Sequence, residues 1–398
     1  MKGPTPRRLW RYVTQRLRLG WSCRCPGDGR RAPHVPAEAV VWGLVIGHLV
    51  REGTFAGVEA LVRSDARATL GVARGFSDDT LAYVTERLDP EVTRRALGAV
   101  VRQAKRNKAF SRQPWVGLAL DGTRTRCVKT PRVDCSYCHP VRTAEGEVLG
   151  FRHHVVMVRG VGVGVTVPCD AELYGPGDSE QAAGQRCLAR VVGEIGRRCA
   201  DYVVADGAYA TAPFLHAVGA LGLHAVVRLK DNVPSLREAA ERRYAGQPPT
   251  AVFTEGRDRV EVWDEEDFDP WEALCWTTVR VFKYRQTTPE GRVIEALWLS
   301  DWPKSTVPSH ALYRMAKSRW EIENETFTVA KTAHGLEHIC HHQGTSLLVR
   351  YLILLLTMAI ERLYRLRWLH RGKHPVRSAI ALVRTLRLSL GRPFRDTS

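Results

Sequence analysis

Three acidic residues are spaced so that they could act together. Asp121 follows the apolar run Trp115–Leu120 and Asp206 follows Tyr202–Ala205, and a glycine succeeds each. A carboxylate at the C-terminal end of a strand projects into the crevice where α/β sheets bind ligands. Asp-Gly is also a favoured turn dipeptide, so either aspartate alone could be no more than a turn. The third acid, Glu323, lies in Tyr313–His338, a stretch without proline whose first glycine is Gly335. That composition predicts one continuous helix of five or six turns. Arg319 and Phe327 stand four residues to either side of Glu323 and share its face, whereas Glu321 and Glu325 lie about 200° away. Taken alone, Arg319 and Glu323 are an ordinary surface ion pair. Three acids converging at a sheet edge would repel one another and lose solvation unless cations neutralised them. Oxygen ligands suit hard Mg²⁺ or Mn²⁺ and not Zn²⁺. Two such ions about 4 Å apart activate a water or hydroxyl nucleophile and stabilise the leaving oxygen of a phosphodiester.

The elements that must position these acids follow from the patterning. Residues 36–110 read as a helical region, with helix starts at Ser77 and at Asp89-Pro90-Glu91. Trp115–Leu120, Phe151–Met157 and Gly162–Pro168 read as strands, the last two joined by a turn at Arg159-Gly160. A helix from Asp178, the strand Tyr202–Ala205, a helix over Ala212–Leu221 and the strand Ala225–Leu229 come next. This order implies a mixed α/β sheet. Residues 249–305 hold short strand-like runs between Gly, Pro and charged turns, a β-rich segment set between Asp206 and Glu323. Long helices resume near Ser309 and continue through a basic C-terminal region, 346–398.

The 398 residues carry 59 Lys+Arg against 42 Asp+Glu, a net charge of +17 that selects polyanionic partners, nucleic acid before anionic membrane. Residues 1–35 form a basic arm with one acid, Asp28. Met1–Cys25 lacks the apolar core of a secretory signal, and the greasiest run, Tyr351–Ile360, is too short to span a bilayer. Cys135-x2-Cys138 has zinc-ligand spacing, with Cys127 and His139 nearby. No second such pair follows, so Zn²⁺ at Cys127, Cys135, Cys138 and His139 is not expected and the ten cysteines read as thiols in a reducing compartment. The histidine pairs 153–154 and 341–342 fall near the expected site and read first as surface residues, with support of the site or DNA contact as the alternative.

The local words resemble one family. Leu118–Thr123 (LALDGT), Val203–Tyr209 (VVADGAY) and Arg319–Asn324 (RWEIEN) resemble the three acid motifs of DDE cut-and-paste transposases of bacterial insertion sequences, in the group with a Tyr–Arg–Glu–Lys signature. Gly175–Glu180 (GPGDSE) and Val227–Asn232 (VRLKDN) are similar to further stretches of that family. The resemblance implies a ribonuclease-H-like catalytic core over 111–248 and 306–345, interrupted by the β-rich insertion 249–305. It implies metal ligation by Asp121, Asp206 and Glu323, two Mg²⁺ or Mn²⁺ ions, and metal-dependent cleavage and strand transfer of double-stranded DNA. Residues 36–110 would bind the element's terminal inverted repeats, and a homodimer would bridge two ends in the bacterial cytoplasm, at the nucleoid. Arg319 and Lys230 would contact DNA. Trp298 and Trp302 would stack on a flipped base where a hairpin forms, unless they are simply buried strand tryptophans. The signature places Tyr at position 316 and Lys at 330, where this chain has alanines; Tyr313 and Lys331 are the nearest equivalents. A protein of the same fold without transposition activity and a non-catalytic basic scaffold are the alternatives.

Overall fold

Two of the three acids depend on strand pairing, so the sheet comes first. The computed structural model describes residues 4–17, 30, 32–109, 114–129, 135–162, 165–368 and 376–391. The strands are β1 (Gly117–Arg124), β2 (His139–Arg142), β3 (Val148–Arg152), β4 (His154–Val161), β5 (Pro168–Tyr174), β6 (Tyr202–Ala205), β7 (His224–Leu229), β8 (Ala251–Glu255), β9 (Asp258–Phe268), β10 (Val279–Thr287) and β11 (Val293–Ser300). Nine of them form one sheet in the order β5-β4-β1-β6-β7-β11-β10-β9-β8, and β2 pairs with β3 beside it. β5, β1, β6 and β7 run in one direction and β4, between β5 and β1, runs antiparallel to them, which is the ribonuclease-H-like arrangement. The β-rich segment is not a separate layer. Its last strand, β11, pairs antiparallel with β7 and extends the same sheet by four strands.

Helices α1 (Pro6–Arg11), α2 (Ala37–Leu49), α3 (Phe55–Val62), α4 (Ala66–Leu70), α5 (Asp78–Thr85) and α6 (Pro90–Arg106) precede the sheet. Helices α7 (Glu180–Ile195), α8 (Ala212–Ala220) and α9 (Pro234–Tyr244) lie within it in sequence. Helices α10 (Ser309–Ser318), α11 (Thr328–His334), α12 (Gly344–Trp368) and α13 (Ala379–Ser389) follow. Several starts are fixed by the expected caps: Ser77 accepts from the Thr80 N–H at 3.3 Å, and Asp89 accepts from that of Glu91 at 2.9 Å.

Side chains alternate across β1 as the pleat requires. Leu118 and Leu120 enter the core formed with α7 and α8, while Ala119 enters the opposite core with α10 and α12. Both faces are therefore covered. The greasy run Tyr351–Ile360 belongs to α12, which packs against α2, α6 and β5 and is buried all round. The N-terminal helices share that core through α2 and α6.

Three expectations need correction. The strand expected over Gly162–Pro168 is β5, which begins only at Pro168 and runs to Tyr174. Arg159-Gly160 is not a turn but part of β4; Arg159 is fully buried and hydrogen-bonds Thr326 and Glu325, a role that requires extended backbone there. The predicted continuous helix over 313–338 is instead α10, a turn at Arg319, a π-helical segment Ile322–Phe327, and α11. Residues 18–29 of the expected basic arm, and 369–375 and 392–398 of the C-terminal region, lie outside the described residues.

Candidate active site

The parallel ladder between β1 and β6 pairs Leu120 with Ala205, so Asp121 and Asp206 come next in register on neighbouring strands. Glu323 reaches the same edge from the π segment, which packs on β1 and β4. Within that segment the Thr328 N–H donates to the Glu323 carbonyl, five residues back. A turn of this kind holds one residue more than an α turn. The eight-residue interval from Glu323 to Lys331 then covers about the rotation of seven residues in a regular helix.

One guanidinium nitrogen joins two of the acids. Arg319 Nη1 lies 3.1 Å from Asp121 Oδ2 and 2.9 Å from Glu323 Oε1. The Arg319 side chain is only 4% exposed, and its guanidinium rests 4.3 Å from the centre of the Trp320 ring. Across the edge, Lys230 Nζ donates to Asp206 Oδ2 at 2.7 Å. The Asn232 amide donates to the carbonyls of Gly207 and Ala210, clamping the turn that follows Asp206. Thus Val227–Asn232 supplies a cation for the second aspartate and a brace for its turn.

A fourth carboxylate lies beside the three. Glu180, the first residue of α7, accepts hydrogen bonds from Tyr174 at 3.3 Å and Tyr209 at 3.1 Å. It lies so close to Gly122 that a Cβ there would meet the carboxyl at 2.4 Å. A side chain at 122 would push the Glu180 carboxyl away from its two tyrosine partners, so the glycine after Asp121 leaves room for this acid. The signal was present: Gly175–Glu180 and Val203–Tyr209 end on the residues that meet.

These surroundings set the charges. Burial pushes the Asp121 carboxyl up to about 7; Arg319 opposes this, while the Glu323 and Glu180 carboxylates add to it. Burial also pushes Asp206 up, but Lys230 and Arg319 outweigh it and hold this acid below its ordinary value. Asp206 Oδ1 is out of contact with solvent and has no hydrogen-bond partner. Oxygen donors with excess negative charge and one unsatisfied carboxylate oxygen fit a hard divalent cation. Glu325 turns to the other side, where Arg159 and Arg362 hold it.

Other sequence candidates lie elsewhere. Tyr313 is buried, its hydroxyl donating to Gln286 Oε1 at 3.2 Å. Trp298 is 1% and Trp302 4% exposed, so neither offers a ring face to a base; they fill the core as large strand-end aromatics do. Lys331 Nζ is 3.6 Å from Glu337. The grouping Cys127, Cys135, Cys138 and His139 does not form: Cys127 is exposed, while His139 stacks on His154 and bonds the Tyr174 carbonyl.

Residues 116–360, a span that includes Asp121, Asp206, Glu323 and Glu180, match the family described as the transposase DDE domain. The chain belongs to that family. DDE transposases in general cleave DNA and transfer strands using divalent metal ions. Among solved structures, the piggyBac transposase in its synaptic complex with hairpin DNA is similar, with a TM-score of 0.49 and 11% identity over 97% of this chain and 80% of that one. No curated protein sequence matches the chain. Among the described residues, no helix is long and apolar enough to cross a membrane.

Proposed function

We propose that this transposase binds the terminal inverted repeats of its mobile element and cleaves and joins DNA at Asp121, Asp206 and Glu323, with two Mg²⁺ or Mn²⁺ ions. The observation that carries the reading is the shared Arg319 nitrogen between Asp121 and Glu323, with Asp206 on the neighbouring strand. That arrangement brings three acids from distant parts of the sequence to one end of adjacent strands, the geometry a shared metal centre needs. Ions bound to these oxygens would supply Lewis-acid stabilisation of phosphoryl oxygens and a lowered pKa for a bound water or hydroxyl nucleophile.

The chain's own groups do the rest. Glu180, oriented by Tyr174 and Tyr209, raises the negative potential around Asp121 and so strengthens its preference for a cation. Arg319 is pre-positioned beside the scissile phosphate and can exchange a carboxylate for phosphate oxygens, since its planar fork fits either. Lys230 serves as a phosphate contact at the edge, and Lys331, beyond it on α11, would exchange Glu337 for a phosphate of the DNA backbone. The net charge of +17 supplies the attraction for the DNA backbone. Residues 36–110 would recognise the ends, and a homodimer on DNA would pair two of them within the bacterial cytoplasm.

The test is nicking of a plasmid carrying the DNA that flanks this gene, with purified protein and Mg²⁺. Wild type nicks at the element boundary and Asp206→Ala does not. Cleavage that is unchanged in Asp206→Ala would refute the assignment. A well-folded wild type that binds the ends but never cuts them would favour a DNA-binding protein without transposition activity.

A further inference from the structure

A second cluster lies apart from the carboxylates and uses different chemistry. Cys135, Cys138, His153 and His342 each turn one ligating atom into a common space, and the four atoms lie within 4.8 Å of one another. We propose that these residues hold a structural zinc ion. A tetrahedral zinc, with bonds of about 2.3 Å to sulfur and about 2.0–2.1 Å to nitrogen, keeps its ligand atoms roughly 3.3–3.8 Å apart. Here His153 Nε2 is 3.2 Å from Cys135 Sγ and 3.6 Å from Cys138 Sγ. The His153 and His342 rings are 5.6 Å apart, centre to centre, and tilted by 51°, as two imidazoles converging on one ion are.

The ligands come from three separate stretches, which makes chance assembly a poor explanation. Cys135 and Cys138 sit in a turn between β1 and β2, closed by the Cys138 N–H on the Cys135 carbonyl. His153 joins β3 to β4 and is fully buried; its backbone N–H donates to Thr125 Oγ1 at 2.9 Å, and its carbonyl accepts from the Thr125 N–H. His342 lies between α11 and α12. The cysteine turn is closely seated: a Cβ on Gly175 would meet the Ser136 carbonyl oxygen at 2.5 Å, and one on Gly344 would meet the Tyr137 ring at 2.6 Å.

Two thiolates and two imidazoles select zinc over the hard ions suited to the carboxylate edge. Binding releases the two thiol protons to solvent, so the divalent ion and two thiolates sum to a neutral centre. Four protein ligands leave no open position for substrate, the mark of a structural ion. Its place gives it a task. Thr125 follows the strand that carries Asp121, and His342 follows the helix that continues from Glu323. The ion ties together the two chain segments that leave the carboxylate edge.

The experiment uses full-length protein without a polyhistidine tag, dialysed against metal-free buffer, with metal content read by mass spectrometry. Wild type should carry about one zinc per chain. The double substitution Cys135→Ser/Cys138→Ser should lose it, while Cys127→Ser and Asp121→Asn/Asp206→Asn should keep it. Wild type holding less than about a tenth of an ion per chain, or zinc that survives the double substitution, would overturn the assignment. If the double variant does not fold, cobalt-substituted wild type decides. A thiolate-to-cobalt charge-transfer band with tetrahedral visible absorption is expected, and its absence refutes the site. Loss of zinc from Asp121→Asn/Asp206→Asn alone would place the ion at the carboxylates and equally refute it.

Discussion

Replacing Asp121 by asparagine should stabilise the metal-free protein at alkaline pH. The carboxyl is raised from 3.8 to about 7, chiefly by burial, with the Glu323 and Glu180 charges adding and Arg319 opposing. A folded pKa above the unfolded one means that the native state binds the proton more tightly. The cost of ionisation is therefore absent below about pH 4, grows as the pH rises towards 7, and is constant above that. Three pH units at 1.36 kcal/mol each set an upper bound of roughly 4 kcal/mol. Arg319's attraction is already contained in that bound, and relaxation and screening around the ionised carboxylate lower it further, so the net gain at pH 8 is about 1–2 kcal/mol. In thermal unfolding with chelator, Asp121→Asn should melt roughly 1–2 °C above wild type at pH 8 and lose most of that advantage by pH 5. Mg²⁺ should raise the wild-type Tm and leave that of Asp121→Asn nearly unchanged. If the variant melts below wild type by the same margin at both pH values, the reasoning about trapped charge is wrong.

Gly122→Ala places a methyl against the Glu180 carboxyl; it should reduce DNA cleavage at least about tenfold, while a circular dichroism melt shows the sheet intact. Burial pushes Glu325 up, but Arg159 and Arg362 bring it down to about 2. Its contribution is present above pH 4.5 and fades as the pH falls towards 2, so Glu325→Gln should cost about 1–2 kcal/mol at pH 7, after allowance for screening at a half-exposed group, and much less near pH 3. Arg280 makes a two-pronged, fully buried pair with Asp264 and also donates to the Trp302 and Val307 carbonyls, fastening the inserted strands to the approach to α10. Arg280→Ala should cost about 3–5 kcal/mol, read from the denaturant midpoint.

Sequence patterning reached the acids because each aspartate ends an apolar strand and each is followed by a glycine that the packing demands or tolerates. The register Leu120–Ala205 joins strands some eighty residues apart, and no local property of either strand encodes it. Helical character was legible from 313 to 334, but the break and the end before 338 were not: an i→i+5 turn goes with the fit of Glu323 and Glu325 to opposite sides of the sheet edge, not with local propensity. Trp298 and Trp302 looked available because aromatics at strand ends suit either a base or a core, and only the layer packed over β11 decides between them. The inserted strands read as a separate β segment because edge pairing with β7 carries no motif. Cys135-x2-Cys138 was visible, but its partners were not: His342 stands some two hundred residues away, and His139, the nearest histidine in sequence, turns to Tyr174 instead.

The most direct test compares Mg²⁺-dependent cleavage of a duplex carrying the element's own end by wild type and four single variants. Asp121→Asn, Asp206→Asn and Glu323→Gln should each lose at least about a thousandfold in rate, while Glu321→Gln, on the far side of the helix, stays within about tenfold of wild type. Full cleavage by any of the first three, or an equal loss in Glu321→Gln, would contradict the claim that these three carboxylates form one catalytic site.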